Sequence, residues 1–216
     1  MSKREVFKRY LLFIVGLFFS GIGVAFTKHG ELGVSPISSV ANVMSCKFTS
    51  ISLGMWLLIW NCVLIVCQIV ILKKDFQLFQ LFQIPLSILF GCFTDFGMWL
   101  VAFIPVPNYA VKLVMLVIGI IILAFGIALS VIANVILNSG EAVVKAVSDK
   151  TGKNFGDVKV IFDISCVVIA VILSLVLFKG QIVGTREGTI ISAFCTGIVV
   201  KFFTKSFQKK IEKLLR

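Results

Sequence analysis

The residues able to do chemistry in this chain are few, and most are carboxylates set in apolar surroundings. Asp95, in Phe93-Thr-Asp-Phe-Gly97, and Asp163, in Ile161-Phe-Asp-Ile164, both lie inside apolar runs. A carboxylate at the centre of a membrane helix costs about 2.5–3.5 kcal/mol on the insertion scale, so each should face a polar cavity or a partner. Lys159 precedes Asp163 by four residues and shares its helix face, where it can pair with it or snorkel to the membrane edge. Glu141 follows Ser139-Gly140 at a helix start, and Gly184-Thr-Arg-Glu-Gly-Thr189 puts Arg186, Glu187 and Thr189 at the head of the last apolar run. A helix opening at either place aims its backbone N–H groups inward, an arrangement that holds a carboxylate or phosphate. The candidate solute-binding set is therefore Ser139, Gly140, Glu141, Lys159, Asp163, Arg186, Glu187 and Thr189, together with Asn61 and Asp95.

Catalytic chemistry lacks its parts. His29 is the only histidine, so neither an HExxH zinc site nor a Ser-His-Asp triad can be assembled. Two intramembrane aspartates would suit an aspartyl protease only if they shared a proton, and neither Asp95 nor Asp163 has the glycine framing such a site needs. The six cysteines, Cys46, Cys62, Cys67, Cys92, Cys166 and Cys195, form no CxxC pair, which argues against structural zinc and a disulfide framework. No catalytic residue, metal or cofactor is expected, and the chain reads as a non-enzyme.

The elements that must position these residues are membrane helices. Hydrophobic residues make up 59% of the 216 positions and charged residues 14%, against about 45–50% and about 25% in a soluble domain. Apolar runs occupy 10–26, 51–72, 84–104, 113–137, 160–178 and 188–200. They predict an all-α polytopic protein of six transmembrane helices in a single membrane domain, 1–216. The last run, 13 residues long, reaches only about 20 Å of an about 30 Å hydrocarbon core, so it must draw in Arg186 and Glu187 or Lys201.

The net charge of +11 is a topology signal, not a nucleic-acid footprint, because the basic residues flank the apolar runs. Sixteen of the 21 Lys and Arg residues fall on the side of the N-terminus, in four clusters at 3–9, 73–74, 145–159 and 201–216. Both termini are thereby expected in the cytoplasm, with the start of the chain as the basic flank of an uncleaved first helix. The mixed basic and apolar tail after Phe202 continues the last helix into an anionic leaflet, so membrane lipids are the first expected partner.

The two halves, 1–104 and 105–216, align with an offset of 102 to 106 residues. Gly21 and Ala25 answer Ala124 and Ala128, small residues four apart that let helix backbones approach. Val34-Ser-Pro-Ile37 answers Asn138-Ser-Gly-Glu141, both reading as starts of short half-helices after spans one and four. Asn61 and Asp163 hold equivalent places. Each half has an odd number of spans, so the repeats should be inverted, with a site at their interface near the midplane.

Beyond these features, the chain resembles the YczE/YitT-like bacterial integral membrane proteins. The resemblance covers nearly the whole length and rests on Gly21-Ile-Gly23, Leu32-Gly-Val-Ser-Pro36, Leu72-Lys-Lys-Asp-Phe76, Gln83, Leu89-Phe-Gly91, Asp95, Gly140-Glu141, Phe155-Gly156, Lys159, Asp163 and Arg186-Glu-Gly-Thr189. Ile37 stands where that pattern often carries Trp. What the resemblance implies is a bacterial inner-membrane protein, with transport as the implied activity and no substrate class attached.

Two functions fit. One is a permease for a small solute, with an anionic group held by Arg186 and the helix starts, and Asp163 or Glu141 carrying a coupling proton or cation. The other is a non-transport subunit, a substrate-capture component or the partner of a biosynthetic enzyme, with Gly21/Ala25 and Ala124/Ala128 as protein-partner or homo-oligomer surfaces. Reporter fusions check the topology. A fluorescent protein fused to the C-terminus should glow, and a phosphatase fused after Lys112 or Lys179 should be active; the reverse pattern contradicts the charge reading.

Overall fold

The computed structural model describes residues 3–215; Met1 and Ser2, at the head of the first basic flank, and Arg216, the last of the basic tail, lie outside them. The described residues form eight α-helices: α1 Lys3–His29, α2 Pro36–Lys47, α3 Leu53–Leu72, α4 Gln83–Val101, α5 Tyr109–Ala133, α6 Ser139–Thr151, α7 Phe155–Leu177 and α8 Glu187–Leu215. Helices α1, α3, α4, α5, α7 and α8 are long and apolar enough to cross a bilayer, making this a multi-pass membrane protein. Helices α2 and α6, with 12 and 13 residues, reach about 18–20 Å, about two thirds of the hydrocarbon thickness. They are the expected half-helices after the first and fourth spans.

Local signals set the boundaries. Ser52 opens α3 by accepting the Met55 N–H, Asn108 opens α5 by accepting the Val111 N–H, and Asn154 opens α7 by accepting the Gly156 N–H. Pro36 stands at the start of α2, where its missing N–H costs nothing. The fourth apolar run, expected to stay helical to Leu137, stops at Ala133 because Asn134 adopts the left-handed conformation (φ 48°, ψ 49°). Val135 to Leu137 become a non-helical lead into α6.

The sixth span differs more. Helix α8 runs for 29 residues, about 43 Å, because its basic tail contains good helix formers and no breaker after Gly197. The crossing is completed toward the C-terminus. Nothing obliges Arg186 or Glu187 to enter the membrane.

The start of α1 and the end of α8 lie on one side: the Lys8 Nζ donates to the Leu214 carbonyl at 2.7 Å. On this terminal side Arg9 donates to the carbonyl of Ala133 at the end of α5, and Lys150 pairs with Asp75 at 2.5 Å. On the far side His29 donates to the Ile104 carbonyl, and Lys112 pairs with Glu31 at 2.5 Å. That hydrogen bond from Lys112 holds the Glu31 carboxyl below its ordinary range.

The packing pairs off between halves. The antiparallel α1 and α5 form the central contact; α1 also packs on α4, as α5 does on α8. Half-helix α2 packs on α7 and half-helix α6 on α3, so each lies against the second long span of the other half. The exception is that α3 packs closely on α4, whereas α7 and α8 scarcely touch.

Small residues carry the α1–α5 crossing. A Cβ on Gly126 would lie 2.5 Å from the Gly16 carbonyl, and one on Gly23 2.6 Å from the Leu123 Cα. The predicted pairs are likewise used inside the chain: Gly21 meets Phe93 and Thr94 of α4, and Ala25, Ala124 and Ala128 are buried. Gly23→Leu should destabilise the fold by about 1–3 kcal/mol, the usual cost of overpacking. Gly197→Leu, which meets nothing within 4 Å, should not. Thermal unfolding of both variants in detergent compares them.

Candidate functional site

The half-helices begin in the middle of the molecule. The chain leaves α1 on the far side and returns inward through residues 30–35 before α2 turns back out; residues 134–138 do the same from the terminal side before α6. The two helix starts meet. A Cβ on Gly140 would stand 2.8 Å from the Ile37 Cδ1, so the start of α6 lies directly against the side chain that opens α2.

A cavity of about 110 Å³ opens at this meeting point. Ser35, Ile37 and Ser38 line it from the start of α2, and Asn138, Ser139, Gly140 and Glu141 from the start of α6. Ser20 of α1, Trp60 and Asn61 of α3, Gln83, Ser87 and Phe90 of α4, and Leu123 and Ile127 of α5 complete the wall. The volume suits a few waters or one small solute. Two helix N-termini make the place electropositive, and Glu141 is the only ionisable residue in the lining. The Ser139 hydroxyl and the Trp60 indole N–H are buried in the wall without a hydrogen-bond partner.

On the terminal side lies a wider vestibule of about 520 Å³, lined by Asp75, Gln80, Leu137, Lys145 and Lys150 among others. Gln83 and Leu137 border both spaces. Gln83 is held by Gln68: each side-chain amide donates to the other at 3.0 Å, and Gln68 also donates to the Ser139 carbonyl at 3.1 Å. Both glutamines are buried. The pair therefore ties α3 and α4 to the first residue of α6 at the passage between vestibule and cavity.

The sequence-predicted residues divide into four groups. Asn61, Ser139, Gly140 and Glu141 share the cavity. Lys159 and Asp163 form the expected ion pair on α7, part-buried and within electrostatic reach of Glu141, but outside the lining. Asp95 serves another purpose: Oδ1 accepts the Gly54 N–H at 2.8 Å and Oδ2 the Ser52 hydroxyl at 2.6 Å, so it secures the start of α3. Gly54 and Gly91 permit that approach, since a Cβ on Gly54 would fall 2.6 Å from Asp95 Oδ2.

Arg186, Glu187 and Thr189 lie elsewhere, on the far side. Arg186 donates to the Glu187 carboxylate at 3.3 Å, with both side chains nearly half exposed. Thr189 is buried against Gly33. These three residues do not converge with Glu141 because α8 completes its crossing at the C-terminal end. The sequence reading missed Gln68, Ser38, Ser87 and Trp60, took Ser35 only as a helix start, and used Gln83 only as part of a resemblance. Two glutamines at the edges of apolar runs were the available signal, but which helix each amide faced was not local information.

Gln68→Leu should cost about 1–3 kcal/mol by leaving the Gln83 amide buried and unpaired. The double variant Gln68→Leu/Gln83→Leu should recover most of that loss. A melting-temperature cycle measures the coupling; additive losses would mean that the amides do not act as a pair.

Among known proteins, the model of DUF6198, a family of unknown function, matches residues 7–205. No curated protein matches the chain, and no solved structure does. The match takes in all of the cavity lining and both half-helices, and the chain belongs to the DUF6198 family.

Proposed function

We propose that this protein is a permease for a small polar solute, which moves between the terminal-side vestibule and the far side through the central cavity. The observation that carries the reading is the cavity at the meeting point of two half-helix starts, next to a vestibule on one side. Broken helices that bring N–H ends and polar side chains to midplane are how many secondary transporters build a solute site. The resemblance to YczE/YitT-like proteins points the same way. On this reading the terminal side is the cytoplasm and the membrane is the bacterial inner membrane, following the distribution of basic residues.

The lining narrows the solute class. An anion held by Arg186 was the sequence expectation, but Arg186 stands on the far side with Glu187. The cavity has acceptor-seeking helix starts and one carboxylate, Glu141. The best match is an amphoteric solute, with a carbonyl or carboxylate toward the helix starts and an N–H or ammonium group toward Glu141. Small amino acids and small amides belong to this class.

A second reading, a non-transport assembly subunit, draws on the exposed apolar faces of α7 and α8, which carry Ile164, Ile172, Phe194 and Ile198. A stoichiometric protein partner in mild detergent, together with no uptake, would favour it.

Uptake into proteoliposomes tests the permease reading with labelled amino acids, amides and simple carboxylates. Glu141→Gln should weaken uptake of N–H-bearing solutes about tenfold or more, the worth of a hydrogen bond to a charged group. Arg186→Gln should leave it unchanged. No flux of any of these classes, with the protein folded and oriented, would overturn the proposal.

A further inference from the structure

Five of the ten buried side-chain polar atoms without a partner, among the described residues, gather on the far side: Asn42 Oδ1 and the hydroxyls of Thr185, Thr189, Ser192 and Thr196. Asn42, Thr185, Thr189 and Ser192 are each no more than 5% exposed. A buried polar group left unsatisfied costs about 1–3 kcal/mol, so a cluster of them calls for an explanation.

Their register supplies one. Thr189, Ser192 and Thr196 follow Gln83, Leu86 and Phe90 by 106 residues each, and those three α4 residues line the open cavity. Ser174 of α7 ties down the chain before α8 through Gln181 and Val183. The face of α8 turned inward is thus the repeat counterpart of the cavity wall on α4.

The two sides differ in closure. Next to α6 the lead-in 134–138 borders the vestibule, with Leu137 exposed. Next to α2 the lead-in 30–35 is sealed: Leu32 and Val34 are fully buried, and Leu32 packs with Leu116, Ile120, Ile191 and Cys195 against α8. This segment contains two left-handed residues, Glu31 (φ 57°) and Gly33 (φ 115°), next to Thr189.

We propose that the hydroxyl face Thr189-Ser192-Thr196, with Asn42 and Thr185, is the far-side half of the solute path, shut here by Leu32 and opened when α8 and the 30–35 segment part. The inference rests on the permease reading and adds the route by which a small polar solute leaves the cavity on the far side. In the open state water or solute satisfies the five atoms that lack partners in the shut one.

Single cysteines in a background without the six native ones test it, using a charged, membrane-impermeant thiol reagent. Ser192→Cys and Thr196→Cys should react from the far side at least tenfold faster than Phe194→Cys, whose side chain points outward; Ser87→Cys should react from the terminal side. Equal rates at 192, 196 and 194 would overturn the far-side path, whatever Ser87→Cys does. A silent Ser87→Cys beside a reactive Ser192→Cys would uphold the path and overturn the terminal-side opening on which the permease reading depends. Should the cysteine-free background not assemble, hydrogen exchange on the wild-type protein decides: amides of 31–35 and 188–192 should exchange faster than those of 198–202, and equal protection would overturn the path.

Discussion

Non-helical backbone cannot face lipid, because its N–H and C=O groups would find no partners there. This chain takes two such segments, 30–35 and 134–138, in toward the centre of the molecule, and the architecture follows from hiding them. Each lead-in must be enclosed by protein, which requires the long helices to close tightly around it. The α1–α5 crossing achieves this with Gly16, Gly23, Gly119 and Gly126, where backbones touch with no side chain between them. Exchange of the half-helices, α2 onto α7 and α6 onto α3, then binds the halves into one body.

The same constraint sorts the polar residues of the interior. Where a carboxylate or amide is needed for architecture, it is fully engaged: Asp95 takes two donors at the start of α3, Lys159 and Asp163 neutralise one another, and Gln68 and Gln83 exchange both amide bonds. Other groups are left without partners, and several of them gather in two places. Ser139 and Trp60 border the cavity, and Thr189, Ser192 and Thr196 lie on the far-side half of α8. A hydroxyl is inexpensive to leave unpaired compared with a charge, so a path lined by hydroxyls can be shut without a prohibitive loss.

The repeat is symmetric in its contacts and unequal in its details. Glu141 begins α6, while the equivalent place in α2 is held by Ile37, so the single carboxylate of the cavity comes from one half only. Asn61 lines the cavity, and its equivalent Asp163 is withdrawn into an ion pair with Lys159. The close α3–α4 pairing, built on Gly54, Gly91 and Asp95, has no equal between α7 and α8. The second and third long spans are therefore packed together in the first half and apart in the second.

Much of this was written locally. Run length and hydropathy specify six spans, Ser-Pro and Asn-Ser-Gly mark the two half-helix starts, and a spacing of four brings Lys159 to Asp163. Each of these depends on residues within a few turns of one another, so the chain alone determines them. The continuation of α8 through the basic tail was legible too, because hydropathy ends at Val200 while helix propensity does not; which end of the short run completes the crossing was not. Which polar residues share a cavity was decided only by tertiary structure. Ser52 meets Asp95 across 43 residues, Gln68 reaches a carbonyl 71 residues away, and Arg186 turns to its neighbour instead of to Glu141. Those outcomes depend on how helices rotate and cross, which the packing of glycines and leucines between distant segments sets and no single stretch of sequence contains.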